Sequence, residues 1–269
     1  MRIRLGHSSD PDDAFMVWAL ATGAIDTRGF DFEFVASDIQ TLNEWALEGR
    51  LEVTALSAAA YPRVHERYAL LPHGASIGAG YGPIVVTPTQ RSIEELRNLE
   101  IVVPGTLTTA FLVLGLALGG AFAYRELDFQ EILEEVRDGR AEAGLLIHEG
   151  QLTYAAEGLA KSLDLGEWWS AETGLPLPLG VNVVRRDVER IDELADVIGA
   201  SIAAGLAHRD EALAYARQFG RGLDDALADR FVGMYVNELT QDYSDDGRRA
   251  FAELMRRAGA DVDVEFVGA

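Results

Sequence analysis

Cysteine is absent from the 269 residues. That removes disulfide cross-links, thiolate nucleophiles and cysteine-held zinc or iron–sulfur centres together. Positive charge is scarce as well: 23 basic residues stand against 44 acidic ones, the formal net charge is −21, and Lys161 is the single lysine. Neutralising a phosphate backbone or an anionic lipid surface takes clustered Lys and Arg, so the composition predicts neither nucleic-acid nor membrane partners. Long uninterrupted apolar runs are missing too. Residues 101–124 carry no charge, but Pro104-Gly105, Gly115 and Gly119-Gly120 break the stretch. It reads as a buried strand, a turn and a buried helix rather than a bilayer span. The N-terminus turns polar at His7-Ser8-Ser9-Asp10 before a secretory apolar region develops, so a cytoplasmic protein is expected.

What is present suits a folded chain. Hydrophobic residues make up 48% and charged residues 25%, which is ordinary for globular proteins, and the length fits one large domain or two of usual size. A strand over 2–6 leads into Asp10-Pro11-Asp12-Asp13, which supplies a helix cap, a proline at the first helical position and acids that suit the dipole. A helix over 11–23 follows. Next come a strand over 30–36, a helix opened by Ser37-Asp38 and closed by Gly49, a strand over 51–56 and a helix from Ser57 to Val64. This β-α-β-α-β-α order predicts an α/β fold with largely parallel sheets.

Further along, the pattern predicts a flexible glycine-rich loop over 74–82, a strand over 84–87, a helix over 92–99 and a strand over 101–103. After the buried helix come an amphipathic helix over 129–138 and a strand over 143–147 that ends at His148. An extended segment begins at Leu175, and residues 187–259 read as almost wholly helical, with breaks near 208–210, 220–222 and 244–247. The chain passes twice between two sheet blocks, near 84–88 and 176–184. That predicts an outer discontinuous domain (1–86 and 182–269) holding an inserted inner domain (87–181), with a ligand cleft between them. In open parallel sheets ligands gather at the carboxyl ends of strands, beside helix N-termini. Four segments reach such edges: Gly6-His7-Ser8, Ala55-Leu56-Ser57, Gly105 to Thr109 and Ile147-His148.

His148, at a strand end, could move a proton near neutral pH, or simply bond a neighbouring loop. His7 competes for the same role, and His65, His73 and His208 read as solvated. Thr108-Thr109 opens a helix just after a Pro-Gly turn, which suits either a carboxylate pocket or ordinary capping. Ser57 carries the same pair of readings. Asp10, Asp12 and Asp13 fit capping better than a metal centre, since no second ligand group stands at the right spacing. Gly78-Ala79-Gly80-Tyr81-Gly82 lacks the Lys and Ser/Thr of a phosphate loop, and no G-x-S-x-G turn points to a serine hydrolase.

Seven stretches together resemble the 1,4-dihydroxy-6-naphthoate synthase family of the futalosine route to menaquinone. They are residues 6–15 (GHSSDPDDAF), 41–50 (TLNEWALEGR), 56–61 (LSAAAY), 82–86 (GPIVV), 104–109 (PGTLTT), 145–149 (LLIHE), and Asp164-Leu165-Gly166 through LPLPLG at 175–180. The likeness covers nearly the whole chain. It implies a two-lobed periplasmic-binding-protein-like (type 2) fold, a mostly parallel sheet in each lobe and a helical C-terminal region. It also implies a carbon–carbon lyase that opens cyclic dehypoxanthinyl futalosine without cofactor or metal.

Carried over by position, the proton acceptor falls on His148. Substrate contacts fall on Ala55, Leu56 and Ser57 from one lobe and on Thr108 and Thr109 from the other. Where the family commonly reads S-P-C-P-N-D-T-F, this chain reads Ser8-Ser9-Asp10-Pro11-Asp12-Asp13-Ala14-Phe15. The expected partner is a small-molecule carboxylate, and Phe251, Leu254 and Met255 in the helical tail would suit a homodimer. Two alternatives accompany this expectation. A chorismate dehydratase-like enzyme of the same pathway would want an arginine at the edge segments, which hold none, and a non-catalytic solute-binding protein would normally be exported.

Overall fold

The computed structural model of the chain describes residues 1–220, 224–262 and 264–268. They form two compact units, Met1–Ile77 with Pro178–Ala269, and Gly78–Leu177. The divisions fall at 77/78 and 177/178, nine and four residues N-terminal to the expected 86/87 and 181/182.

The first unit begins with β1 (Arg2–Ser8), α1 (Pro11–Thr22), β2 (Asp31–Ser37), α2 (Ile39–Glu48) and β3 (Val53–Ser57). A 3-10 turn over Ala58–Arg63 leads to β4 (Tyr68–Leu70) and β5 (Ser76–Gly78). Pro11 takes the first helical position of α1, where a missing N–H costs nothing, and Gly23 closes the helix in the left-handed region at φ 71°. Asp38 caps α2 by accepting the Thr41 amide. The helix expected from Ser57 is instead a 3-10 turn with Pro62 inside it. Pro62 cannot donate the amide that an α-helix would need there.

The second unit contains β6 (Ile84–Thr87), α3 (Ile93–Leu96), β7 (Ile101–Val103), α4 (Thr109–Leu118), β8 (Tyr124–Glu126), α5 (Ile132–Arg137), β9 (Ala143–Leu146), α6 (Gly150–Thr153), β10 (Ala160–Asp164) and α7 (Leu165–Thr173). Ser92 and Glu95 form a reciprocal capping box at the start of α3. The long strand β11 (Leu177–Arg185) returns the chain to the first unit. Five helices complete it: α8 (Ile191–Ala207), α9 (Arg209–Ala216), α10 (Asp225–Tyr235), α11 (Glu238–Gln241) and α12 (Ser244–Arg257). The expected breaks fall near His208, which separates α8 from α9, and at 242–243, just before the expected 244–247. Of the expected break at 220–222, residues 221 and 222 lie outside the described residues.

Strand order in the first sheet is β2-β1-β3-β11-β4, with β5 also on β11, and in the second β10-β6-β9-β7-β8. The expected mostly parallel sheets are in fact mixed. β1 runs parallel to β2 and β3, and β7 parallel to β8 and β9, but β11 is antiparallel to β3 and β4, and β6 to β9 and β10. Helical crossovers impose parallel neighbours, whereas β6 and β11 enter their sheets by extended connections that impose no such direction.

In the first unit, Ile3, Leu5 and Val53 from the sheet pack with Val17 of α1 and Leu194 and Ile198 of α8. Leu42, Leu51 and Ala55 form a smaller cluster with α2. In the second unit, Ile84, Val86, Val102 and Leu146 pack with Ile132 and Val136 of α5. Among the described residues no helix is long and apolar enough to cross a membrane.

The glycine-rich segment expected to be a flexible loop is partly strand β5, and a Cβ on Gly78 would lie 2.1 Å from the Tyr81 carbonyl oxygen, while Ala79 and Gly80 are exposed. A Cβ on Gly166, at the start of α7, would lie 2.0 Å from the Tyr81 carbonyl. Close backbone approach, rather than phosphate binding, accounts for glycine there.

Candidate functional site

In the first unit, parallel β1 and β3 pair through Leu5↔Val53 and Gly6↔Thr54. Ser8 and Ser57 therefore end their strands at the same sheet edge, beside the start of α1. Ser57 is buried and held by one side chain: its amide donates to Asn43 Oδ1 at 2.8 Å, and its Oγ accepts from Asn43 Nδ2 at 2.9 Å. It makes no side-chain cap bond to the turn that follows. Ala55 and Leu56 are buried as well, Ala55 against Leu42 and Leu51, and their main chain pairs with Asn182 and Val181 of β11.

His7 is buried at the same edge. Its Nδ1 donates to the Ser8 carbonyl at 2.7 Å, and its ring stands edge-on to Phe219 at 5.7 Å. Asp10 occupies the N-cap position of α1 but makes no side-chain cap bond, contrary to the expected capping role. Asp13 bonds back instead, accepting the Ser8 amide at 2.6 Å. Burial, then the charges of Asp13 and Asp10, push the Asp12 carboxyl well above its ordinary range. Burial also raises Asp13, against the opposing Ser8 amide and His7 charge. Among the described residues no group of side chains is arranged to hold a metal ion. His73, expected to be solvated, is buried: its Nε2 donates to the Ala195 carbonyl at 2.8 Å, and desolvation lowers its pKa.

In the second unit, β9 ends at Leu146 and the chain leaves the sheet through Ile147 to His148, which is 6% exposed. Both ring nitrogens engage the main chain: Nε2 lies 2.8 Å from the Phe129 carbonyl, and the Gly150 amide donates to Nδ1 at 3.0 Å. A carbonyl only accepts and an amide only donates, so these partners fix the tautomer with hydrogen on Nε2 and the lone pair on Nδ1. Glu149 Oε2 lies 3.5 Å from Nδ1, and the Phe129 ring meets the imidazole edge-on at 5.0 Å. Such a ring can accept a proton at Nδ1, with a carboxylate close by to balance the imidazolium.

Thr108 is the N-cap of α4. Its hydroxyl donates to the Gly105 carbonyl at 2.9 Å and accepts the Phe111 amide at 3.1 Å. Capping is thus made, and Thr109 is the buried first residue of the helix. A helix's first amides have no carbonyl partner within the helix and lie at its positive end. α4 has no acid in its first turn.

Sequence reasoning missed Asn43 as the partner of Ser57, and Phe129, Gly150 and Glu149 as the surroundings of His148. Asn43 did leave a signal, being a polar residue beside Leu42 and Ala46 on the buried face of α2.

The fold defines the chain as an α/β protein of the periplasmic-binding-protein-like class. A Candida albicans protein described as having the generic periplasmic binding protein fold matches at TM-score 0.70 and 14% identity, covering 98% of this chain and 92% of that one. The family model described as menaquinone biosynthesis matches residues 3–260, and the chain belongs to that family. It is 42% identical over 260 residues to the 1,4-dihydroxy-6-naphtoate synthase of Thermus thermophilus, covering 96% of this chain and 94% of that protein. A crystal structure of a protein from Archaeoglobus fulgidus superposes at TM-score 0.91 with 44% identity, covering 96% of this chain and 97% of that one. A family of biosynthetic enzymes is therefore where this chain stands.

Proposed function

We propose that the chain is a 1,4-dihydroxy-6-naphthoate synthase, a carbon–carbon lyase that converts cyclic dehypoxanthinyl futalosine to 1,4-dihydroxy-6-naphthoate. The observation that carries the reading is the 42% identity to the Thermus synthase over nearly the full length of both chains. The arrangement around His148 supports it. With its lone pair on Nδ1, the imidazole takes the hydroxyl proton from the sugar-derived part of the substrate, displacing the Gly150 amide. The alkoxide electrons form a carbonyl as the carbon–carbon bond breaks in a retro-aldol-like step, the pair of that bond passes into the bicyclic ring system as an enolate, and the imidazolium returns its proton there as the ring becomes aromatic. Glu149, near Nδ1, balances the imidazolium charge.

Substrate binding is assigned to the end of β3, with Ala55 and Leu56 leading to the Ser57 hydroxyl, and to the start of α4 at Thr108 and Thr109. The aromatic carboxylate suits the helix start, where the dipole offers positive partial charge without a cationic side chain.

Incubating purified protein separately with cyclic dehypoxanthinyl futalosine and with chorismate, and following products by chromatography, tests the reading. Naphthoate from the first substrate alone is expected. Turnover of chorismate alone, or of neither compound, would overturn it.

A further inference from the structure

We infer that Asn43 is a positioning residue that fixes the Ser57 hydroxyl as a hydrogen-bond donor toward the substrate. The inference rests on the reading of Ser57 as a substrate contact and adds the polarity of that contact. The Ser57 main-chain amide can only donate, and it donates to one end of the Asn43 side chain at 2.8 Å. That end must be the carbonyl oxygen Oδ1, which removes the usual ambiguity in an amide's orientation. The other end is then the NH2 group, and it lies 2.9 Å from Ser57 Oγ. An NH2 group only donates, so Oγ accepts, and the one proton of the hydroxyl is directed elsewhere.

Burial holds this arrangement: Asn43 is 0% exposed and Ser57 2%. Asn43 sits on α2 and Ser57 ends β3, so the paired bonds tie the helix to the strand end at the sheet edge. A hydroxyl held as a donor matches an acceptor on the ligand, a carboxylate or carbonyl oxygen. It disfavours a ligand that presents N–H or O–H at that point.

The test is a double-mutant cycle with steady-state kinetics on cyclic dehypoxanthinyl futalosine. Ser57→Ala removes the donor and is expected to raise KM about ten- to a hundredfold. Asn43→Asp keeps the acceptor for the Ser57 amide but places a carboxylate oxygen against Oγ, so the hydroxyl donates inward and presents lone pairs outward. It is expected to raise KM by a similar factor and to change kcat far less, the mark of a lost ground-state contact. In the Ser57→Ala background, Asn43→Asp is expected to add less than about threefold, since there is no hydroxyl left to turn.

An unchanged KM for Asn43→Asp, or the same increase with and without the Ser57 hydroxyl, would overturn the inference alone, because Asn43 would then act through charge or packing. An unchanged KM for Ser57→Ala would overturn both the inference and Ser57 as a substrate contact. Should Asn43→Asp fail to fold, Asn43→Ala frees the hydroxyl to rotate and is read in the same cycle, with the same pattern expected.

Discussion

Replacing His148 separates its structural work from its chemical work. In His148→Ala the Phe129 carbonyl and the Gly150 amide both lose their partners. Each buried group left unpaired costs about 1–3 kcal/mol, and the lost edge-on contact with Phe129 costs roughly 0.5–1.5 kcal/mol more. The total, about 2.5–7.5 kcal/mol, lowers the melting temperature by roughly 5–30 °C in a chain of this size, and at the lower half of that range leaves a folded protein on the usual scale of about 5–15 kcal/mol. His148→Gln has an amide able to reach the Phe129 carbonyl, so it should retain most of that stability. Neither variant has a base, and loss of a positioned proton acceptor lowers kcat by about 10²–10⁴-fold. Turnover measured by product chromatography at saturating substrate, beside melting curves for both variants, gives the comparison. Equal loss of turnover with unequal loss of stability is expected, with ligand affinity kept within about tenfold. If either variant turned over within about threefold of the parent, His148 would not be the proton acceptor.

Four further outcomes follow from particular residues. Burial raises Glu52, but bonds from the Arg4 side chain and amide, with the charges of Arg4 and Arg185, prevail and hold it at about 2. Its stabilisation is therefore present above the ordinary glutamate range and lost as pH falls toward 2. After allowance for the solvent around Arg4, Glu52→Gln should cost about 1–2 kcal/mol near pH 7; a cost that stays the same near pH 2 in urea titrations would contradict this. Asp12 is shifted the other way, so its ionisation works against the fold as pH rises through its native pKa. Asp12→Asn should raise the melting temperature near pH 8 and not near pH 4, and equal shifts at both would remove burial as the cause. A Cβ on Gly144 would lie 2.6 Å from Ile132 and 2.8 Å from Val136, so Gly144→Ala should cost about 1–3 kcal/mol by denaturant midpoint, whereas an unmoved midpoint would show that α5 shifts freely. Added salt should lower KM or leave it unchanged, because it screens the repulsion between an acidic protein and an anionic substrate; a steep rise would reveal a cationic side chain in the binding contact.

Much of this architecture was legible because local rules acted alone. The Asp38 cap and the left-handed glycines at 23 and 49 place α1 and α2 within a residue or two of expectation. The apolar run at 143–146 and the change of character at His148 placed the end of β9. What escaped was set by tertiary partners. β10 pairs with β6 through a register shift between Lys161 and Leu163, and α7 is capped by Asp164, which the sequence marks as part of a family-like stretch but not as a cap. Strand direction escaped for a similar reason: alternating β and α shows where crossovers lie but not how a strand entering from an extended connection will run. The histidines show the same limit. His73 looks like a loop residue until Ala195, 122 positions away, is seen to accept its Nε2 hydrogen.

Charge raises a problem that the local geometry answers. A chain with net charge −21 repels an anionic substrate at long range, and the segments assigned to binding contain no Lys or Arg to reverse that. The groups proposed for binding are neutral: the start of α4, with the positive end of its dipole, and the Ser57 hydroxyl. Dipoles act over a few ångströms, while net charge is felt over a Debye length of about 8 Å at physiological salt. Contact therefore decides binding, and the long-range field only sets the rate of approach. Neutral donors carry a second consequence for the proposed reaction. An arginine beside the reacting centre would stabilise His148 in its neutral form by repelling the imidazolium, whereas an uncharged contact leaves Glu149 as the nearest charge to Nδ1, and that charge favours the protonated ring at the moment the proton arrives.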